Sequence, residues 1–276
     1  MSSTAIVTLI ENNLSAHKGL QCEFGLSFYI NKGGMHILFD CGSSGAIVGN
    51  ARKLNIDLES VDLVVLSHGH FDHCGGFRSF VDAVGCKRLV TGPGFFEPKY
   101  AVEGMRHSYI GVDFGTSFMA ANSIHHEVCG DVLQLDEGCW LMGNIERTVA
   151  DETIPSRFNV RRGGKFVPDL FRDEICLALR FEDGLALVVG CSHPGIVNVV
   201  QTAQKRFALP VRGVWGGTHL GQASAERIDR TLAALKNAGV RHFGLSHCSG
   251  EPVFEKIAGD PEMKGCRLCT GDGIYM

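Results

Sequence analysis

The chain has no apolar stretch approaching the ~18–20 residues of a membrane-spanning helix, so no helical passage through a bilayer is expected. Its first residues, MSSTAIVTLIENN, lack the basic segment and long apolar core of an export leader, and a cytoplasmic location is expected. Neither sign of charge dominates. The 26 Lys and Arg against 30 Asp and Glu leave −4, which gives no reason to expect nucleic acid or an anionic membrane as partner. No internal repeat, low-complexity tract or Pro/Ser-rich linker breaks the sequence, so 1–276 reads as one domain. Composition is ordinary for a globular protein, 45% apolar and 20% charged, with 35 glycines that point to many tight turns. A small-molecule partner is the expectation that survives these exclusions, and oligomeric state is left open.

Cysteine is plentiful instead. Eleven are present, and without an export leader they are expected as free thiols or metal ligands rather than disulfides. The pair Cys266 and Cys269 has no second Cys-x-x-Cys to complete a zinc site, and reads as small hydrophobes or an incidental pair. Cys41, Cys74, Cys191 and Cys248 stand out because each lies beside or within a segment rich in metal-ligand types.

The richest segment is Ser67-His68-Gly69-His70-Phe71-Asp72-His73-Cys74-Gly75-Gly76. Imidazole nitrogen and carboxylate oxygen are the donors that borderline divalent ions such as zinc prefer. His68, His70, Asp72 and His73 crowd into six positions after the apolar run at 61–66, so a metal site is the expected purpose. A lone histidine would be read as a satisfied surface or core residue. Gly69, Gly75 and Gly76 are expected to supply backbone angles closed to other residues, folding the loop tightly. Phe77, Phe80, Val81 and Val84 then recur at helical spacing, giving the order strand, ligand loop, helix.

The same unit recurs along the chain. Apolar run 35–39 ends at Asp40; 185–189 leads to Cys191 and His193; 211–215 leads to His219; 241–245 leads to His247 and Cys248. Short apolar runs of this kind read as buried strands, and functional groups of α/β folds gather beyond strand ends. Strands are also expected near 5–10 and 25–31. Pro194 is expected to open a helix with Ile196, Val200, Ala203 and Phe207 on its apolar face. Ser224 is expected to cap another carrying Ile228, Leu232 and Leu235, closed by Gly239. Residues 86–175 mix turns and short strands and are expected to hold substrate-facing insertions.

The pattern His68-x-His70-x-Asp72-His73 resembles the metal signature of the metallo-β-lactamase superfamily. That resemblance implies a four-layer αβ/βα sandwich of α/β class in a single domain. It implies two metal positions, the first two histidines serving one ion and the Asp-His pair another. Asp40 matches the motif that supports the metal loop from behind, and His247 matches the last ligand. The middle of the chain departs from the pattern: residues 160–175 hold no histidine, and the strand that should end in a bridging aspartate ends in Cys191. Cys191 is then a candidate thiolate ligand and His193 the replacement for the missing histidine. Asp173 and Glu174 are weaker candidates, expected as solvated charges at a strand start.

Glu11-Asn12-Asn13, residues 23–27 and 190–198, Gly216 to Leu220 and Ser246 to Gly250 are similar to a subgroup of dihydropterin–ribofuranosylaminobenzene 5′-phosphate synthases and relatives. His219 belongs to that subgroup pattern and is expected in the pocket, catalytic or substrate-binding rather than on the metal. Arg147 is expected to bind a phosphate or carboxylate. The resemblance implies one or two zinc ions, with iron or manganese as alternatives, and hydrolase-type chemistry on a small anionic, phosphorylated substrate. Asp72 would ligate or orient the attacking water. Synthase-type transfer and a non-enzymatic metal or redox sensor are the alternatives; His70 argues against a flavodiiron-type oxidoreductase, which has glutamate there.

Overall fold

The apolar run before the histidine cluster forms strand Leu63–Val65, buried at every position, as a run without polar alternation requires. This computed structural model describes residues 3–16 and 19–276, and their packing divides into two units. The first comprises Met1–Val128, Ile154–Asp173 and Cys269–Met276; the second comprises Cys129–Thr153 and Glu174–Leu268.

In the first unit a sheet runs in the order Gly273–Tyr275, Thr4–Ile10, Ser27–Lys32, Met35–Phe39, Leu63–Val65, Arg88–Thr91, His125–Val128. Pairing is antiparallel up to Met35–Phe39 and parallel beyond it. Parallel neighbours need a crossover, and helices Ala46–Lys53, Phe77–Val84 and Thr116–Ala121 supply them. Ile47, Ala51, Phe77, Phe80, Val81 and Met119 form one apolar cluster with Leu38, Val64, Leu66 and Leu89 of the sheet. A second, antiparallel sheet orders Lys165–Pro168, Phe158–Arg162, Lys99–Glu103 and Arg106–Tyr109 within the region expected to hold insertions.

The second unit repeats the plan. Its sheet runs Lys264–Arg267, His242–Leu245, Val211–Gly216, Gly184–Val189, Cys176–Phe181, Cys139–Met142, Val132–Asp136. The first four are parallel and the rest antiparallel. Helices Ile196–Phe207, Ala225–Asn237 and Glu251–Gly259 bury Val200, Ala203, Ile228, Leu232, Leu235, Val253 and Ile257 with the sheet's Leu185, Leu187, Val214 and Phe243. Each unit therefore holds one seven-stranded sheet with its helix layer, as the expected α/β architecture calls for, and the first carries the four-stranded sheet besides.

Both expected helices form. Ser224 caps Ala225–Asn237, its Oγ accepting the Arg227 N–H at 3.3 Å, and Gly239 follows at φ 93°. The other begins at Ile196 rather than Pro194. A buried carboxylate caps it: Glu152 accepts from Val197 N–H at 2.9 Å and Asn198 N–H at 2.8 Å. Gly195, at φ 101°, precedes that turn, and a β-carbon there would collide with the Glu152 side chain.

Candidate metal centre

The histidine segment is not a loop throughout. His70 is extended, and Phe71–Cys74 closes one helical turn that holds Asp72 and His73. The flanking glycines act through space rather than backbone angle: Gly75 and Gly76 have φ of −64° and −76°. A β-carbon on Gly76 would lie 2.1 Å from the Cys41 carbonyl oxygen, and one on Gly69 would lie 2.4 Å from that of Phe95. The expected backbone angles closed to other residues are thus corrected to close backbone approach, which only a missing side chain permits.

Asp40, fully buried at φ 59°, organises the cluster. Its Oδ1 accepts the Ser67 N–H at 2.7 Å, and its Oδ2 accepts the Ser67 hydroxyl at 2.8 Å and His73 Nδ1–H at 2.7 Å. A serine hydroxyl carries one hydrogen. Since Ser67 gives it to Asp40, its oxygen must accept from His68 Nδ1–H at 3.0 Å. One carboxylate thereby fixes the protons of two imidazoles on Nδ1 and leaves both Nε2 atoms as lone-pair donors, the form in which histidine binds a metal. His73 Nε2 lies 3.8 Å from Asp72 Oδ2, and the His68 ring lies 4.7 Å and 4.2 Å from those of His70 and His73. The donor set, three buried imidazoles and a carboxylate, fits a borderline divalent ion. Burial opposes the charged form of His73, yet Asp40 and Asp72 outweigh it and raise its pKa. An ion bound through His73 Nε2 would have to displace the second proton of the charged ring, so its affinity would fall in acid.

Asp40→Asn tests the relay. An amide offers one acceptor oxygen where the carboxylate offers two, so either the Ser67 N–H bond at one position or the Ser67 hydroxyl and His73 bonds at the other are lost. Metal affinity measured against a competing chelator should fall about 10–100-fold. Affinity equal to the parent's would remove Asp40 from this role.

Behind the loop lies an ion cluster that sequence reading missed. Lys99, 1% exposed, places Nζ 2.6 Å from Asp169 Oδ2 and 3.0 Å from Asp173 Oδ1. Asp173 Oδ2 accepts the Gly69 N–H at 2.8 Å. Asp173 and Glu174, expected as solvated charges, are both buried, and each carboxylate accepts a backbone N–H beside a histidine. Phe171 and Phe158 were also missed; their rings lie 5.2 Å and 5.4 Å from that of His70. Nothing in local sequence marks a lysine 30 residues beyond Gly69 as buried.

In the second unit, strand ends carry the remaining candidates. After Gly184–Val189 come Cys191, Ser192 at φ 58° and His193, whose N–H donates to Glu174 Oε2 at 2.9 Å. His219 follows Val211–Gly216 at φ 52°, its ring 4.5 Å from that of His193. His247 follows His242–Leu245 at φ 54°. Left-handed non-glycine residues cost free energy and concentrate where a site dictates side-chain direction. Cys191, His247 and Cys248 have donor atoms within 4.8 Å of one another.

The cysteines separate by environment. Burial, with nearby carboxylates, pushes the Cys41 and Cys74 thiols well up, and Cys74 donates to the His70 carbonyl at 2.9 Å. For Cys248 burial is outweighed by Cys191, His247 and the His219 N–H, and the thiol pKa is lowered. Cys266 is exposed and Cys269 half-buried. Arg147 is exposed, on a segment that Arg206 holds through the carbonyls of Gly143 and Asn144.

A family model described as the metallo-beta-lactamase superfamily matches residues 20–175. The chain is 32% identical over 268 residues to 7,8-dihydropterin-6-methyl-4-(β-D-ribofuranosyl)-aminobenzene-5′-phosphate synthase of Methanocaldococcus jannaschii, covering 89% of this chain and 87% of that one. It is 29% identical over 255 residues to an uncharacterized protein of the same archaeon, covering 92% and 93% respectively. A solved metal-dependent hydrolase of the β-lactamase superfamily is similar at a TM-score of 0.84 and 28% identity, with 98% of each chain covered.

Proposed function

Because the chain belongs to the metallo-β-lactamase superfamily, we propose that it is a metal-dependent enzyme acting on a small phosphorylated molecule by hydrolase-type chemistry. The ligands we assign are, in the first unit, His68, His70, Asp72 and His73 and, in the second, Cys191, His193 and His247; zinc, one or two ions, is the proposed metal. The observation that carries the reading is the Asp40 relay, which holds His68 and His73 as Nε2 donors in advance of binding. A divalent ion bound there supplies Lewis acidity and makes a water acidic enough to act as nucleophile near neutral pH.

The protein's own residues then divide the work. Asp72, beside His73 Nε2, orients the attacking water and takes up its proton. The half-buried imidazole of His219 contributes to the substrate pocket. The Arg147 guanidinium receives the phosphate through paired hydrogen bonds. Such a bond is worth about 1.5–3 kcal/mol, so Arg147→Ala should lower kcat/KM on a phosphorylated substrate about tenfold or more with metal content unchanged. An equal loss on the dephosphorylated form would mean Arg147 does not read the phosphate.

Transfer chemistry is the second reading, favoured by the 32% identity to a synthase whose product carries a pterin, an arylamine and a 5′-phosphate. Two assays on the zinc-loaded protein separate them. Turnover of phosphoesters, lactones or thioesters supports the hydrolase; condensation of an arylamine with a pterin diphosphate, without hydrolysis, supports the synthase.

A further inference from the structure

We infer that Cys248 is a metal ligand, so that Cys191, His247 and Cys248 form a thiolate-rich site of their own within the second unit. This rests on the reading of the chain as a metal protein and adds a donor to the set assigned above.

Three observations point the same way. The donor atoms of Cys191, His247 and Cys248 lie within 4.8 Å of one another. A tetrahedral ion with zinc–sulfur bonds of ~2.3 Å and zinc–nitrogen bonds of ~2.0–2.1 Å holds its donors roughly 3.5–3.8 Å apart, so a small contraction closes the site. Second, the His219 N–H donates to Cys248 Sγ at 3.2 Å. A backbone N–H aimed at sulfur steadies a thiolate and tunes its donor strength, as outer hydrogen bonds do for other metal ligands. Third, the backbone approaches the sulfur as closely as it can. A β-carbon on Gly217 would lie 2.6 Å from Cys248 Sγ and 2.5 Å from the Gly190 carbonyl oxygen, so only a glycine leaves room here for the Cys248 sulfur.

These positions come from three different strand ends: Cys191 after Gly184–Val189, Gly217 after Val211–Gly216, and His247 with Cys248 after His242–Leu245. The parallel register sets those ends side by side, pairing Val189 with Gly216 and Gly216 with Leu245. Two thiolates and one imidazole are a soft donor set, suited to zinc or cobalt and poorly to magnesium or calcium. On binding, each thiol releases its proton to solvent as the sulfur–metal bond forms, so loading should release acid.

The test is anaerobic titration of the full-length, metal-stripped chain with cobalt(II), following the near-ultraviolet thiolate-to-cobalt charge-transfer band. The parent should show a band of two-thiolate intensity. Cys248→Ser and Cys191→Ser should each lose about half of it, and the double variant all of it. If Cys248→Ser keeps the full band while Cys191→Ser abolishes it, Cys248 is not a ligand and the inference falls. Cobalt bound without any charge-transfer band would leave the histidine site standing and overturn the thiolate site. No cobalt uptake at all would overturn both. Should Cys248→Ser fail to fold, alkylation of the parent with and without cobalt decides: Cys248 protected by the metal upholds the inference, and equal labelling rejects it.

Discussion

Replacing His73 with alanine should strip the metal and reduce turnover to background. The imidazole is one of four donors within six residues, and it carries the short bond to Asp40 that also shares in orienting His68. Its loss removes a ligand and leaves a fully buried carboxylate oxygen with only the Ser67 hydroxyl. An unfilled hydrogen bond to a buried charged group costs about 1.5–3 kcal/mol, so some stability should go with it. A larger loss of stability is expected only if the metal itself holds the segment in place, because bound ligand stabilises the folded state by mass action. Metal analysis beside kcat/KM separates the two effects. Full occupancy with normal turnover in His73→Ala would sink the assignment.

Lys99→Met should destabilise the protein by about 3–5 kcal/mol, the expected cost of removing one partner from a buried ion cluster. Asp169 and Asp173 would remain buried without their counter-ion, and Asp173 is the acceptor for the Gly69 N–H inside the histidine segment. Metal affinity should therefore fall along with the melting temperature. The pH dependence carries a sign that simple loss of packing would not. In the parent, burial already raises the Asp173 carboxyl against the pull of Lys99. Burial works against the Lys99 ammonium, but Asp173 and Asp169 outweigh it and its pKa is raised. Without the ammonium the folded-state Asp173 carboxyl rises further above its unfolded value. The folded variant then binds more protons than the unfolded chain, and its stability increases as pH falls toward the carboxylate range. The deficit relative to the parent should be widest at neutral pH and narrow in acid. A deficit independent of pH between 4 and 8 would show that Lys99 matters for packing alone (roughly the range spanning the carboxylate and histidine titrations).

How much of this was legible beforehand differs from residue to residue. The run at 61–66 followed by His68, His70, Asp72 and His73 is a local signal, since strand, turn and donor types lie within 13 residues. The helices after Gly195 and Ser224 were legible for the same reason: their apolar periodicity, and for the second its Ser224 cap, are written in adjacent positions. Glu152 was not, because the helix terminus it caps lies more than 40 residues further on. Gly69 and Gly76 were singled out correctly but for the wrong physical cause, as local sequence suggests backbone angle while only packing reveals close approach. Asp173 looked like a surface charge because its partner, Lys99, stands 74 positions away.

The sequence by itself determined the class of the protein: short buried strands, the helices between them, and donor residues placed at strand ends. Periodicity, capping and ligand chemistry act over a few residues and need no knowledge of the fold. Tertiary structure decided what those donors do. It brought Asp40 to Ser67 and His73 through parallel pairing of strands Met35–Phe39 and Leu63–Val65, and that pairing sets which imidazole nitrogen keeps its proton. It buried Lys99 between two carboxylates, and it set Cys248 beside Cys191 across three strand ends. Proton position and donor geometry depend on distances of a few ångströms between groups far apart in the chain, and those distances exist only once the sheets have formed.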